Sequence, residues 1–415
     1  MTAKTHELVG HLFRNRAARM VGWLTRVFGA AHLSLAEEVV QDAMVKALQQ
    51  WPYSGVPENP AGWLFQVARN GALDAIRREG VFRDRADALA ADLARTQLPD
   101  DDSDDPLRDD ELRLIFLCCH PVLPQDARVA LSLKTACGFS VQEISRALLS
   151  REPAVAQRLV RAKRQLRDAD VSLDLPTGRD LAGRLDSVLE VIYLLFNEGY
   201  SAHEGDDLVR LDLCGEALRL ARLVADSPIA SSPAAHALVS LLAFQAARLP
   251  ARVDSAGELV LLENQDRTLW DTRLVTMGFQ HLDRSAAGSV VSTYHLQAAI
   301  AAQHAGAPPD ATPWRVILGM YDELLALNPS PVVALNRAVA LSRVAGPGPA
   351  LDAIARVEHE PPLANYYLLG AVKGRLLAEL GDRAGAAAAF REALAHPCSG
   401  PERQFLQRRL IEVEG

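Results

Sequence analysis

The chain has 415 residues, 49% hydrophobic and 23% charged, with 26 Gly and 23 Pro. That size and mixture suit a folded globular protein of about two to four domains and exclude a collagen-like, wholly disordered or coiled-coil chain. The formal net charge of −8 is uneven: residues 1–170 hold 23 basic and 23 acidic side chains, so the whole excess lies in residues 171–415.

No apolar run reaches the roughly 18 residues that a membrane helix needs. The stretch from Met1 to Arg19 carries Lys4, Glu7, Arg14 and Arg16 in place of an apolar core, which reads against a secretory signal. Five cysteines without a CxxC pair make neither a disulfide framework nor a zinc ribbon, and a reducing cytoplasm is expected. Strand signals are nearly absent and helical spacing recurs throughout, so the fold class is all-α.

A first helical block runs to about Arg85. In it Ser34 and Glu37 have capping-box spacing, Leu35, Val39, Ala43, Val45, Ala47 and Leu48 form an apolar stripe, and Pro52 is expected to close the helix near Trp51. After a Pro/Gly-rich loop, a second helix is predicted over about 61–78. Its apolar side carries Leu64, Val67, Ala68, Leu73 and Ile76, and its polar side carries Arg69, Asn70, Asp74 and Arg77. Trp63 and Phe65 beside these cations suit stacking on single-stranded bases, worth about 1–3 kcal/mol each; taken singly, each ring also suits a core.

Residues 96–111 hold eight acids against Arg108 and read as a linker, since like charges repel and few apolar groups are present. A second compact block covers 112–170. Within it Ser140-Val141-Gln142-Glu143 is a capping box, and Val141, Ile144, Ala147 and Leu148 give the first helix one apolar face. After a short turn at 149–151, Pro153 opens a second helix that places Val155, Leu159, Ala162 and Leu166 inward. Gln157, Arg158, Arg161 and Arg164 fall opposite, within a cluster of seven cations over 146–167. Two short helices, the second bearing Arg and Gln, form the pattern of a DNA-reading helix-turn-helix, because Arg matches guanine edges, Gln matches adenine and cations neutralise phosphates. A solvated Arg-rich face is the plainer reading.

The segments AEEVVQDAMVKALQQW (36–51), PAGWLFQVARNGALDAIRR (60–78) and the helix-turn-helix at 139–167 resemble, in order and separation, the two DNA-binding domains of extracytoplasmic-function (ECF) sigma factors. LIFLCCHPVL (114–123), LLFNEGYS (194–201), GELVLLENQDRTLWD (257–271) and SPVVALNRAVAL (330–341) resemble the subgroup with a tetratricopeptide-like C-terminal extension. The resemblance implies sigma domain 2 over 1–95, the linker over 96–111, sigma domain 4 over 112–170 and a helical extension over 171–415. It implies that Glu38, Gln41 and Asp42 meet the β′ clamp helices of core RNA polymerase, the β subunit being a further contact. It sets Asn59, Trp63, Arg69, Asn70, Arg77 and Arg78 near the −10 element. It gives the −35 element to the helix-turn-helix, where Arg151, Gln157, Arg158, Arg161, Lys163 and Arg164 are the candidates. The Ser-Arg-Glu-Pro turn departs from the common pattern.

Residues 365–397 approximate one repeat of about 34 residues, with Gly374, Gly381, Ala386, Phe390 and Pro397 near the usual small and large positions, and an earlier unit is traceable from Leu324 to Val357. The repeat region is expected from about 313, with a concave face for a protein or peptide partner. Residues 171–310 are helical without that repeat. Cys118, Cys119, His120 and Cys137 fall among core-type neighbours, so no metal is expected. Glu198, His203 and Glu204 lack a metalloprotease spacing, and no nucleotide-binding or hydrolase motif occurs. No cofactor, catalytic residue or membrane is expected. Glu258, Glu263, Asp266 and Arg267 read as a structural polar network, with ligand sensing the alternative. Two other functions stay open: a one-component helix-turn-helix regulator with a sensing repeat domain, and a repeat adaptor. The first leaves residues 34–78 and the linker unexplained, the second the basic helix.

Overall fold

The structure is a computed structural model that describes residues 17–78, 86–95, 107–148, 150–200, 210–254, 257–308 and 311–415. Among them every regular element is helical, save an isolated antiparallel bridge between Val253 and Leu259. No described helix is long and apolar enough to cross a membrane. Two compact units divide the chain at 194/195.

In the N-terminal unit, α1 (17–28), α2 (Leu33–Ser54) and α3 (Pro60–Arg78) share one core. Trp23 stacks on Phe65 with centroids 4.6 Å apart, and Trp51 meets Trp63 edge-on at 5.4 Å. Phe65 is therefore core, as are Leu64, Ala68 and Ile76.

The expected cap of α2 differs. A 3₁₀ turn at Ala30–His32 leads directly into the helix, so His32 is its N-cap and Ser34 already lies inside. Pro52 does not end the helix either; its missing N–H removes a single bond in the last turn. The stop is Gly55, whose φ of +84° favours glycine and whose N–H reaches the Trp51 carbonyl at 3.1 Å.

After α4 (Ala86–Arg95) come α5 (Leu107–Cys118), α6 (Gln125–Thr135), α7 (Val141–Ala147) and α8 (Glu152–Asp168). Residues 107–111, expected as linker, are the start of α5. Asp110 and Glu111 are buried there because arginines meet them: Arg26 Nε lies 2.9 Å from Asp110 and Arg19 Nε lies 3.1 Å from Glu111. Between those arginines, Gly22 sits so close to α5 that a Cβ would come within 2.4 Å of the Asp110 carbonyl oxygen. The rest of the expected linker, 96–106, lies outside the described residues, as do 79–85.

The early part of α9 (Arg179–Tyr200) also belongs to this unit. Arg184 donates to the Phe116 carbonyl at 2.7 Å and Gln125 donates to Glu190 at 2.9 Å, which explains why the division falls at 194/195 and not at 170/171.

In the C-terminal unit α10 (Leu211–Ala225), α12 (Thr272–Ser285) and α13 (Thr293–Gly306) pack around α11 (Pro233–Ala247), which is apolar on nearly every face and correspondingly buried. From α14 (Trp314–Leu327) the helices pack as successive neighbours: α15 (Pro331–Ala345) with α16 (Pro347–Ala355), and α17 (Tyr367–Glu379) with α18 (Arg383–Leu394) and α19 (Gly400–Glu414). Gly370 and Gly374 let α17 and α18 approach; a Cβ on Gly374 would meet the Phe390 ring at 2.7 Å.

Candidate nucleic-acid interface

The helix-turn-helix is built as its spacing dictates. The Glu143 N–H donates to Ser140 Oγ at 3.1 Å and the Ser140 N–H donates to Glu143 at 2.7 Å, which fixes the start of α7. Ile144 and Ala147 are buried beneath it. Arg151 is the N-cap of α8, Pro153 stands in its first turn, and Val155, Leu159, Ala162 and Leu166 are buried along one side. The opposite side leaves Arg151, Gln157, Arg161 and Arg164 exposed.

The six −35 candidates differ in their surroundings. Arg158 is half-buried and its Nε lies 2.9 Å from Asp126 on α6. Arg164 pairs along its own helix with Asp168 at 3.2 Å. Lys163 is turned away from the exposed face and donates to Glu37. Arg151, Gln157 and Arg161 remain as the outward-facing group.

On α3, Asn70, Arg77 and Arg78 are exposed and Arg69 is half-buried. Arg77 lies 3.4 Å from Asp74, one turn before it. Asn59 plays a structural part, since its Oδ1 accepts the Gly62 N–H at 2.8 Å and so caps the first turn of α3. Trp63 is half-buried against Trp51, leaving part of its ring at the surface. On α2, Glu38, Gln41 and Asp42 are all exposed, because the apolar stripe of Ala36, Val39, Val40, Ala43 and Ala47 faces inward.

Glu37 is the residue whose role sequence reasoning missed. Its carboxylate accepts Thr135 Oγ1 at 2.8 Å and the Lys163 ammonium, so it ties α2 to α6 and α8. Beside it runs a cleft of about 400 Å3 lined by Val40, Gln41, Lys134, Phe139 and Glu143. The α1–α5 arginine pairs form a second tie. Burial holds the Asp110 carboxyl above the usual carboxylate range, and Arg26 and Arg113 offset this only in part. That contact therefore fixes a geometry more than it adds stability. Arg19, Gly22 and Arg26 at spacings of three and four were a usable signal for a helix contact. Glu37 carried only the capping-box spacing with Ser34, which the helix does not use.

Cys118, Cys119 and Cys137 are buried among core side chains, and burial pushes the Cys119 thiol up to about 11. His203 and Glu204 lie outside the described residues. In the C-terminal unit the four charged residues expected to form one network have separate partners: Glu258 pairs with Arg408, Glu263 with Arg343, Asp266 caps Thr268, and Arg267 donates to the Ala307 carbonyl.

Comparison with known proteins agrees with this anatomy. Residues 12–81 match sigma-70 region 2, residues 113–166 match sigma-70 region 4, and residues 184–286 match a family of unknown function (DUF6596). An uncharacterized protein, R00370, of Rhizobium meliloti (strain 1021) is 40% identical over 398 residues, 94% of this chain and 92% of that protein. The ECF RNA polymerase sigma factor SigE of Mycolicibacterium smegmatis is 29% identical over 157 residues, 38% of this chain and 59% of that protein. No solved structure matches. Two sigma-70 domains joined through an acidic segment define a transcription factor of the sigma class. The chain carries sigma-70 region 2 and region 4 domains followed by a DUF6596 segment, an arrangement consistent with an ECF sigma factor that has a C-terminal extension.

Proposed function

We propose that the chain binds core RNA polymerase, through the β′ clamp helices and the β subunit, and directs promoter-specific initiation in the cytoplasm without a catalytic residue of its own. In this reading Glu38, Gln41 and Asp42 meet polymerase. Asn70, Arg77 and Arg78, with Arg69 and the exposed part of Trp63, hold the melted −10 strand, and Asn59 shapes the loop before them. Arg151, Gln157 and Arg161 read the −35 duplex, joined by Arg164 on phosphate. The observation that carries the proposal is α8: one side wholly buried, the other a row of outward Arg and Gln.

Reading two promoter elements at once requires the two modules to separate, so the Glu37 tie to Thr135 and Lys163 opens on the way to the promoter complex. Lys163 then becomes available to DNA. The C-terminal extension modulates that activity and offers its repeat face to a partner.

Run-off transcription with core polymerase, the full chain and no other sigma factor tests the reading. Promoter-specific transcripts are expected. Binding of promoter DNA without polymerase, and no transcript with it, would instead favour a one-component regulator.

A further inference from the structure

The C-terminal unit holds a partly open cavity of about 600 Å3 between α15, α17, α19 and a strap formed by residues 257–264. Its walls are mainly aliphatic and aromatic: Leu259 and Leu261 from the strap, Val339 from α15, Val372 from α17, and Phe405 and Leu406 from α19. Ion pairs fasten the strap near both ends, Glu258 to Arg408 and Glu263 to Arg343.

One polar group in this wall is out of balance. Arg375 of α17 buries its Nε and Nη2 atoms without a hydrogen-bond partner among the described residues. The Glu379 carboxylate, 3.7 Å from Nε, is too far for a hydrogen bond. The other carboxylates of the wall are engaged elsewhere. Glu402 accepts from the Tyr367 hydroxyl and from Ser399, Glu263 pairs with Arg343, and Glu412 pairs with Arg409. Burying guanidinium donors unpaired is unfavourable, and a carboxylate matches the planar fork of Arg in a bidentate way.

We propose that this cavity binds a small carboxylic acid with an apolar body, its carboxylate on Arg375 and its body against the leucine and phenylalanine wall. The volume is that of a small-molecule site. The strap argues for a small molecule over an extended peptide, because Leu259 and Leu261 close one side of the groove and ion pairs hold the strap near both ends. Burial pulls the Arg375 guanidinium below its ordinary value, with Arg343 adding to this and Glu379 and Glu263 opposing it. An arriving anion relieves that strain. As the signal sensed by the extension, the acid rests on the proposed function; its binding does not, so it is measured on the protein alone.

The test is calorimetric titration and thermal melting of the full chain with decanoate, decanol and decylamine, without polymerase or DNA. Decanoate is expected to saturate a site and raise the melting temperature, with decanol and decylamine at least tenfold weaker. Arg375→Met is expected to melt no lower than the wild type and to lose the preference for decanoate. Equal binding of decanoate and decanol, a preference that survives Arg375→Met, or a melting point that falls in that variant would overturn the assignment. If Arg375→Met yields no folded protein, Val339→Phe fills the cavity and leaves Arg375 in place; decanoate binding should vanish, and its retention would overturn the proposal. An apolar peptide with a free C-terminal carboxylate is the remaining arm, and tighter binding of it than of decanoate would replace the small acid by a chain terminus. If decanoate fails while run-off transcription succeeds, the sigma-factor reading stands and the cavity assignment falls.

Discussion

Arginine does opposite things in the two units. On α8, Arg151 and Arg161 stand in water with no carboxylate partner among the described residues. Around the C-terminal cavity, Arg343 and Arg408 are exposed, Arg409 is half-buried, and all three are held in ion pairs, while the half-buried Arg375 has Nε and Nη2 buried without a hydrogen-bond partner among the described residues. A hydrated guanidinium exchanges water and counterions for a phosphate at little penalty, whereas a desolvated one is fixed and selective for a complementary anion. The first arrangement suits a polymer recognised by many weak contacts, the second a single ligand.

The strongest way to break this contrast is to remove the outward pair on α8. Arg151→Ala with Arg161→Ala should weaken promoter binding by the polymerase-bound protein by about thirtyfold or more, since each of the two contacts is worth about 1–3 kcal/mol. The slope of log affinity against log salt should also become shallower by about two, with melting unchanged. Arg158→Ala should do less, because Arg158 is held by Asp126. Equal losses in both would mean that the ion pair does not restrain it.

The packed contact of the N-terminal unit comes next. Gly22→Ala drives a Cβ into the Asp110 carbonyl and should destabilise that unit by about 1–3 kcal/mol, read by chemical denaturation. An unchanged midpoint would show that α1 and α5 do not meet closely in solution.

Acid should sharpen the comparison from the other side. Burial holds His281 and His304 in the C-terminal unit at about 4, below the ordinary 6.5. The unfolded chain therefore takes up protons first. The stability these groups contribute is full above about pH 6.5 and is lost as pH falls toward 4, on the order of 2 kcal/mol for the buried His281. Melting followed from pH 7 to 4.5 should show the decline, and His281→Gln should flatten it.

The smallest expected effect is at the tie between modules. Glu37→Ala removes one acceptor shared by Thr135 and Lys163 and should raise run-off activity by no more than about fivefold, about 1 kcal/mol. A loss of activity would place Glu37 on polymerase instead of in the tie.

The helices themselves were largely legible in the sequence. Val155, Leu159, Ala162 and Leu166 announced the buried side of α8, Ser140 and Glu143 announced the start of α7, and Gly374 with Phe390 announced the α17–α18 contact. These signals are local, resting on helical spacing and on hydrogen bonds within one turn. The errors were local as well: the 3₁₀ turn at Ala30–His32 took the cap from Ser34, and Gly55 stopped a helix that Pro52 was expected to end. Asp110 and Glu111 read as linker because composition counts charges without seeing Arg26 and Arg19 from far along the chain.

Sequence alone thus determined the helical class, the basic side of α8 and the kinship with sigma factors, since each depends on residues within a few turns of one another. Only the tertiary structure decided which cations are available and which are occupied. Lys163 lies between Arg161 and Arg164 in the chain, yet it is turned to Glu37, 126 positions away. The cavity beneath the 257–264 strap, with Arg375 in its wall, was likewise invisible, because a cavity belongs to the gaps between elements and no single segment encodes it.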